Sequence, residues 1–125
     1  MVGLLIATHG SFGQELLKSA EMVLGSQKNA AAVGITPGED KESFRKKFIS
    51  VLQSFSETEG ILILVDIFGG SPYQASYVLK ESTSLEILSG VNLPMLLEFF
   101  LQRDGKGLTE LAALVSQAGI QGIRG

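Results

Sequence analysis

Ile61-Leu62-Ile63-Leu64-Val65-Asp66-Ile67-Phe68-Gly69-Gly70-Ser71-Pro72 decides the fold. Five apolar residues without polar alternation read as a strand buried on both faces, as in a parallel sheet covered by helices. An aspartate and two glycines end the strand. Ser71-Pro72 then signals a helix start, with serine as N-cap and proline at the first helical position. That helix is expected to run to about Lys80.

The same unit repeats on either side. Val2-Gly3-Leu4-Leu5-Ile6-Ala7 is an unbroken apolar run, which Thr8-His9-Gly10-Ser11 breaks. Leu16, Leu17, Ala20, Val23 and Leu24 follow at helical spacing, with Gly25 at the stop. Ala30 to Ile35 is a weaker strand, Thr36-Pro37-Gly38 a turn, and Asp40 a cap for the next helix. Phe44, Phe48, Val51, Leu52 and Phe55 form that helix's apolar stripe. Lys41, Arg45, Lys46 and Lys47 fall off the stripe and read as a solvated face. Downstream come a strand over Leu85 to Leu88, a loop over Gly90 to Pro94, and helices over Met95 to Arg103 and Thr109 to Ala118. Ile120 to Gly125 is expected as a short C-terminal edge strand. Strands alternating with helices define an α/β fold. The expected architecture is a doubly wound, mostly parallel sheet of order 2-1-3-4, with helices on both faces and an antiparallel C-terminal strand at the edge.

Composition narrows the function. The 125 residues make one domain, spanning 1–125, with 45% hydrophobic residues for a core. Cysteine is absent, which removes disulfides, thiolate metal sites and cysteine nucleophiles. A single histidine, His9, leaves too few ligands for a zinc or copper site, so no metal is expected. The net charge is −3 and the cations gather into no basic face, which disfavours nucleic acid. Mean hydropathy is +0.29, yet no apolar run approaches the roughly 18 residues a spanning helix needs. The N-terminal apolar run has no preceding positive charge and is too short for a signal peptide. The chain reads as a soluble cytoplasmic domain.

In a 2-1-3-4 sheet the first and third strands are neighbours whose following helices lie on opposite faces. Ligands bind at this switch point, at the carboxyl ends of the strands. Two loops meet there: Thr8 to Ser11, and Asp66 to Ser71. The only histidine and one of three aspartates therefore share one cleft. Both loops lead into helices, whose first N–H groups favour anions. Gly10, Gly69 and Gly70 allow close backbone approach. Neutral imidazole is a nucleophile near pH 7, and a carboxylate on one ring nitrogen fixes the tautomer and aims the other outward. His9 with Asp66 thus suggests covalent phosphate chemistry. A relay would use the lability of the phosphorus–nitrogen bond; a hydrolase would admit water. Plainer roles stand beside these: a lone histidine is often a surface or core residue, and an aspartate at a strand end is often a turn cap. Phe12 and Phe68 lie in the two loops, either as docking anchors or as rings folded beneath them.

Three blocks together resemble a known family: Ile6-Ala7-Thr8-His9-Gly10, Leu64-Val65-Asp66-Ile67-Phe68-Gly69-Gly70-Ser71-Pro72, and Gly90-Val91-Asn92-Leu93-Pro94-Met95. The chain is similar, over essentially its whole length, to the EIIA component of the mannose-type (mannose/fructose/sorbose) bacterial phosphotransferase system. The resemblance implies that His9 accepts phosphate from phospho-HPr and donates it to EIIB, which phosphorylates the sugar as the membrane EIIC/EIID complex carries it in. It implies that Asp66 is the carboxylate partner and that Thr8, Gly10, Gly69, Gly70 and Ser71 surround the phosphoryl group. It implies no cofactor, a homodimer with the C-terminal strand added at the sheet edge, and a location peripheral to the membrane transporter. Some members continue into an EIIB domain, so the chain is expected to be a free-standing or trimmed EIIA.

The phosphotransfer subunit of dihydroxyacetone kinase shares the fold and the histidine, but the second and third blocks favour the sugar transporter. A histidine phosphatase would carry Arg-His-Gly, where Thr8 stands instead. A receiver domain would need an acidic pair after the first strand. Ser71 lacks the setting of a hydrolase nucleophile. A non-catalytic phosphate-binding module stays open at this level.

Overall fold

The computed structural model describes residues 1–55, 58–81 and 83–125. Four strands, β1 (Gly3–His9), β2 (Ala30–Ile35), β3 (Ile61–Val65) and β4 (Leu85–Leu88), form one sheet of order β2-β1-β3-β4. Every pairing is parallel. The helices are α1 (Phe12–Leu24), α2 (Lys41–Gln53), α3 (Ser71–Leu79), α4 (Leu93–Gln102) and α5 (Leu108–Gln121).

Alternation along the strands builds two cores. Leu4, Ile6, Leu62 and Leu64 face α1, α4 and α5, where Leu96, Phe99, Leu111 and Val115 meet them. Leu5, Ala7, Ile63 and Val65 face the other way, toward Phe44 and Phe48 of α2 and Tyr73 and Ala75 of α3. Both faces of β1 and β3 are fully covered, which is why these strands carry no polar alternation. The helices after β1 and β3 lie on opposite faces, so the two strand ends open into the expected switch point.

Several boundaries differ from the sequence reading. β1 continues through Thr8 and His9, which pair in register with Gly34 and Ile35. α3 is capped by Gly70, not Ser71; Ser71 is its first residue, and the Gln74 N–H bonds to the Gly70 carbonyl at 2.9 Å. Asp40 caps α2 as expected, accepting from the Ser43 N–H at 2.7 Å. Asn92 caps α4 through the Met95 N–H, so that helix starts earlier than expected. Lys47 leaves the solvated face of α2: its Nζ donates to the Gly34 carbonyl at 2.7 Å and to Glu39 Oε1 at 3.0 Å.

The C-terminal antiparallel edge strand is not seen. Ile120 and Gln121 extend α5, and 122–125 form no strand. The buried series Leu111, Ala112, Val115 and Gly119 keeps helical period almost to the end, so local periodicity carries the backbone past the expected break. Among the described residues no helix is long and apolar enough to cross a membrane.

The end of the sheet opposite the switch point is tied by Arg103, only 5% exposed. Its Nη1 donates to the Lys28 carbonyl at 2.7 Å, and its guanidinium lies over the Phe99 and Phe100 rings at 5.3 and 5.5 Å. Arg103→Met should remove about 2–4 kcal/mol from the unfolding free energy, because a partly buried carbonyl loses a charged donor. Urea unfolding checks this, and a midpoint at the wild-type value would show that Arg103 contributes no net stability.

Candidate functional site

His9 is the last residue of β1, and Asp66 follows β3 directly. The pairing of Ala7 with Val65 brings their loops side by side. Asp66 Oδ2 accepts the His9 backbone N–H at 2.9 Å and lies 2.8 Å from His9 Nδ1. Asp66 Oδ1 accepts the Ile67 N–H at 3.0 Å. The histidine side chain is 53% exposed and the aspartate 17%.

Burial pushes the Asp66 carboxyl up, but the His9 backbone N–H, the His9 ring and the Ile67 N–H together hold it below its ordinary value of 3.8. It is therefore a carboxylate at neutral pH. The proton in the short contact belongs to Nδ1, and Nε2 is left with its lone pair directed away from Asp66.

The ring rests on the start of α3. A Cβ added at Gly70 would come within 3.0 Å of His9 Cε1 and 3.7 Å of Nε2. Gly70 has an extended backbone, with φ −73° and ψ 177°, so its role is space rather than an unusual conformation. Gly69 differs: its φ of +82° is one that side chains rarely adopt. Its carbonyl accepts from Gln74 Nε2 at 2.9 Å, which pins the loop to the helix it precedes. Ser71 and Tyr73, in the first turn of α3, bring main-chain N–H groups that helix geometry leaves without internal partners.

On the other side, the Gly10 N–H donates to the Ile35 carbonyl at 2.8 Å, and the Gly10 carbonyl lies on Gly34, where any Cβ would overlap it. Lys47 holds the Gly34 carbonyl, and Glu39 holds Lys47. The Glu39 carboxyl is drawn down to about 2, first by the Thr36 N–H and then by Lys47. The loop after β4 closes the rear: the Gly90 N–H donates to the Asp66 carbonyl at 3.2 Å.

The structure thus brings His9, Asp66 and Gly70 together, with Gly10, Gly69 and Ser71 in the flanking turns. Thr8 is fully buried, and its Oγ1 accepts the Gly13 N–H at 2.9 Å, so its hydroxyl serves the first turn of α1. Phe12 is 48% and Phe68 72% exposed. The Phe68 ring packs on Tyr73 at a centroid distance of 4.7 Å. Gly34, Lys47, Gln74 and Tyr73 were not singled out by sequence as site residues. Only Gly34 carries a usable signal, since glycine inside a strand often marks close backbone approach.

A histidine oriented by a carboxylate at the switch point of a doubly wound sheet, beside a helix N-terminus, defines an α/β protein that holds an imidazole next to a setting favourable to anions. Comparison with known proteins makes the assignment specific. The profile of the family described as "PTS system fructose IIA component" matches residues 3–116. The mannose-specific EIIAB component of Escherichia coli (strain K12) is 38% identical over 98% of this chain; the chain spans 39% of that relative's length. The fructose-specific EIIA component of Bacillus subtilis (strain 168) is 36% identical over 89% of this chain and 77% of its own length. Among solved structures, EIIA from Streptococcus agalactiae superposes with a TM-score of 0.90 at 28% identity, covering 100% of this chain and 97% of that one. The chain belongs to this family, the EIIA components of the mannose/fructose/sorbose class of the phosphotransferase system.

The lowered Asp66 pKa has a consequence for stability. A carboxyl whose folded pKa lies below its unfolded value stabilises the fold above the unfolded value, and that contribution is lost as pH falls through the folded one. Asp66→Asn should therefore be less stable than wild type at pH 7, with the gap shrinking below about pH 4. Denaturant unfolding across this range checks it, and a gap independent of pH would mean that the carboxylate's charge is not what holds His9.

Proposed function

We propose that the protein is a phosphoryl relay of sugar uptake: His9 accepts phosphate from phospho-HPr and passes it to EIIB. The observation that carries this reading is the 2.8 Å contact between Asp66 Oδ2 and His9 Nδ1, which leaves Nε2 as the free nucleophile beside Gly70. In the first step the Nε2 lone pair attacks phosphorus. The phosphorus–nitrogen bond of the donor phosphohistidine breaks, and its electron pair returns to the donor ring. Nδ1 keeps its proton, and Asp66 balances the positive charge that develops on the His9 ring. The transferred oxygens then face the N–H groups of the α3 first turn and the Gly69-Gly70 backbone. The second step repeats the exchange, with a side chain of EIIB as nucleophile and His9 as leaving group.

Half-exposure suits His9 to this task, because two partner proteins must reach the same nitrogen in turn. EIIB in turn serves the membrane EIIC/EIID complex, so the protein works at the cytoplasmic side of a transporter as a peripheral component. We also read the chain as a homodimer, which the exposure of Ile120 (71%) and Ile123 (83%) supports.

Incubation with phosphoenolpyruvate, enzyme I and HPr should add one acid-labile phosphate per chain, detected by intact mass. His9→Ala should abolish it, and Asp66→Ala should slow it by about 10²–10⁴-fold with the fold intact. Labelling of the His9→Ala protein, or an acid-stable phosphate on Ser71, would overturn the assignment.

Phe68 is a docking anchor in this reading: it is exposed, rigidly backed by Tyr73, and two residues from Asp66. Phe68→Ala should weaken apparent partner affinity by about 1–3 kcal/mol with little change in melting temperature. Normal transfer kinetics together with a lowered melting temperature would instead give the ring a packing role.

A further inference from the structure

β2 lies at one end of the sheet and, among the described residues, pairs with β1 alone. Its outer side therefore carries backbone groups with no neighbouring strand. The ladder shows which groups these are. The Asn29 and Ile35 carbonyls accept the Leu4 and Gly10 N–H groups, so the odd-numbered residues turn their backbone groups toward β1. Alternation then points the N–H and carbonyl of Ala30, Ala32 and Gly34, and the N–H of Thr36, away from the sheet. The strand itself, Ala30-Ala31-Ala32-Val33-Gly34-Ile35, contains no charge and no proline, the usual devices that keep an open edge from pairing with another chain.

Two of these outward groups are nevertheless occupied, by side chains. Lys47 Nζ, reaching over from α2, donates to the Gly34 carbonyl at 2.7 Å. Glu39 Oε1 accepts the Thr36 N–H at 3.0 Å. The two side chains meet each other at 3.0 Å, and Ser43 Oγ donates to the second Glu39 oxygen at 3.0 Å. The Glu39 side chain is only 10% exposed, so its carboxylate lies against the edge rather than in open solvent. In a parallel ladder, one residue donates its N–H to a carbonyl on the neighbouring strand and accepts from the N–H two positions further along that strand. Gly34 and Thr36, on either side of Ile35, are such a pair. The ammonium and the carboxylate thus bring the donor and the acceptor that one residue of a fifth strand would bring. An isolated surface ion pair contributes little stability, which makes the position of this pair more telling than its presence.

We propose that the Glu39–Lys47 pair is a cap that closes the outer edge of β2 to strand addition, and that the partner it excludes is a second copy of this chain, pairing β2 against β2. Two copies related by a twofold axis present the same edge to each other and would merge their sheets into one. An antiparallel neighbour needs the Gly34 carbonyl as much as a parallel one does, and Lys47 occupies it. The cap also keeps the cleft clear. The Gly10 carbonyl rests on Gly34, so a strand seated there would lie beside the turn that carries His9. This role rests on the β2 backbone and not on the relay reading. It is separate, too, from the dimer read from Ile120 and Ile123, which lie near Leu88 of β4 at the opposite edge of the sheet.

The test measures the mass of the full chain by sedimentation velocity across a concentration series, with wild type as the baseline for any dimer formed elsewhere. The variants are Lys47→Met, which removes the donor, and Glu39→Gln, which keeps an acceptor for Thr36 but loses the charge that holds Lys47. Cooperative thermal unfolding checks that each is folded. Lys47→Met is expected to add one association step beyond wild type, with an association constant raised about tenfold or more, and Glu39→Gln to move the same way by a smaller factor. In Lys47→Met the outward Ala32 and Gly34 N–H groups should exchange with solvent about tenfold more slowly at high than at low concentration, with no such change in wild type. Ala32→Pro supplies the control, because it removes an outward N–H and no ladder bond. Combined with Lys47→Met, it should restore the wild-type mass. Folded variants whose mass follows wild type at every concentration would overturn the proposal. So would association that survives Ala32→Pro, since it would run through another surface.

Discussion

Asp66 Oδ2 accepts the His9 main-chain N–H at 2.9 Å and lies 2.8 Å from His9 Nδ1. One oxygen thus fixes both the backbone from which the ring springs and the ring itself. The two residues are 57 positions apart, and nothing local brings them together. Their meeting requires β1 and β3 to be adjacent and parallel, in the register that sets Ala7 beside Val65. A slip of one residue would turn every buried side chain of β3 to the opposite core and move Asp66 away from His9, so the close packing of the two cores also holds the site in register.

The remaining contacts around the cleft limit how far the two loops can move. From the β2 side, Glu39 gathers Thr36, Ser43 and Lys47, and Lys47 carries that restraint to Gly34, on which Gly10 rests. From the α3 side, Gln74 holds the Gly69 carbonyl. From the β4 side, the Gly90 N–H holds the Asp66 carbonyl, and Asn92 ties the same loop to the Gly119 carbonyl of α5. Rigid support from three directions suits the proposed relay, in which one nitrogen is presented to successive partners without reorganising.

Most of the fold was legible because its physics is local and repeated. Uninterrupted apolar runs at Val2–Ala7 and Ile61–Val65 announced strands covered on both faces, and strand–helix alternation then left few topologies open. The errors arose where two local signals competed. Ser71-Pro72 looks like a cap followed by a first helical residue, but the helix is capped one residue earlier, at Gly70, where a side chain would crowd the His9 ring. Ile120 to Gly125 looks apolar enough for a strand, yet Leu111, Ala112, Val115 and Gly119 carry helical burial almost to it. Lys47 was grouped with its solvated neighbours because sequence shows the charge and not the Gly34 carbonyl that awaits it.

The sequence by itself determined the α/β class, the strand order, and the fact that the only histidine and Asp66 would end neighbouring strands. Those follow from periodicity, turn residues and handedness, which act over a few residues or through general rules of chain connection. Only the tertiary structure decided which ring nitrogen faces the carboxylate, that Gly70 rather than Ser71 borders the ring, that Thr8 turns inward to Gly13, and that Phe68 stays outside on Tyr73. These depend on distances of about 3 Å between atoms far apart in the chain, and such distances are fixed by the packing of the whole sheet against its helices rather than by any local pattern.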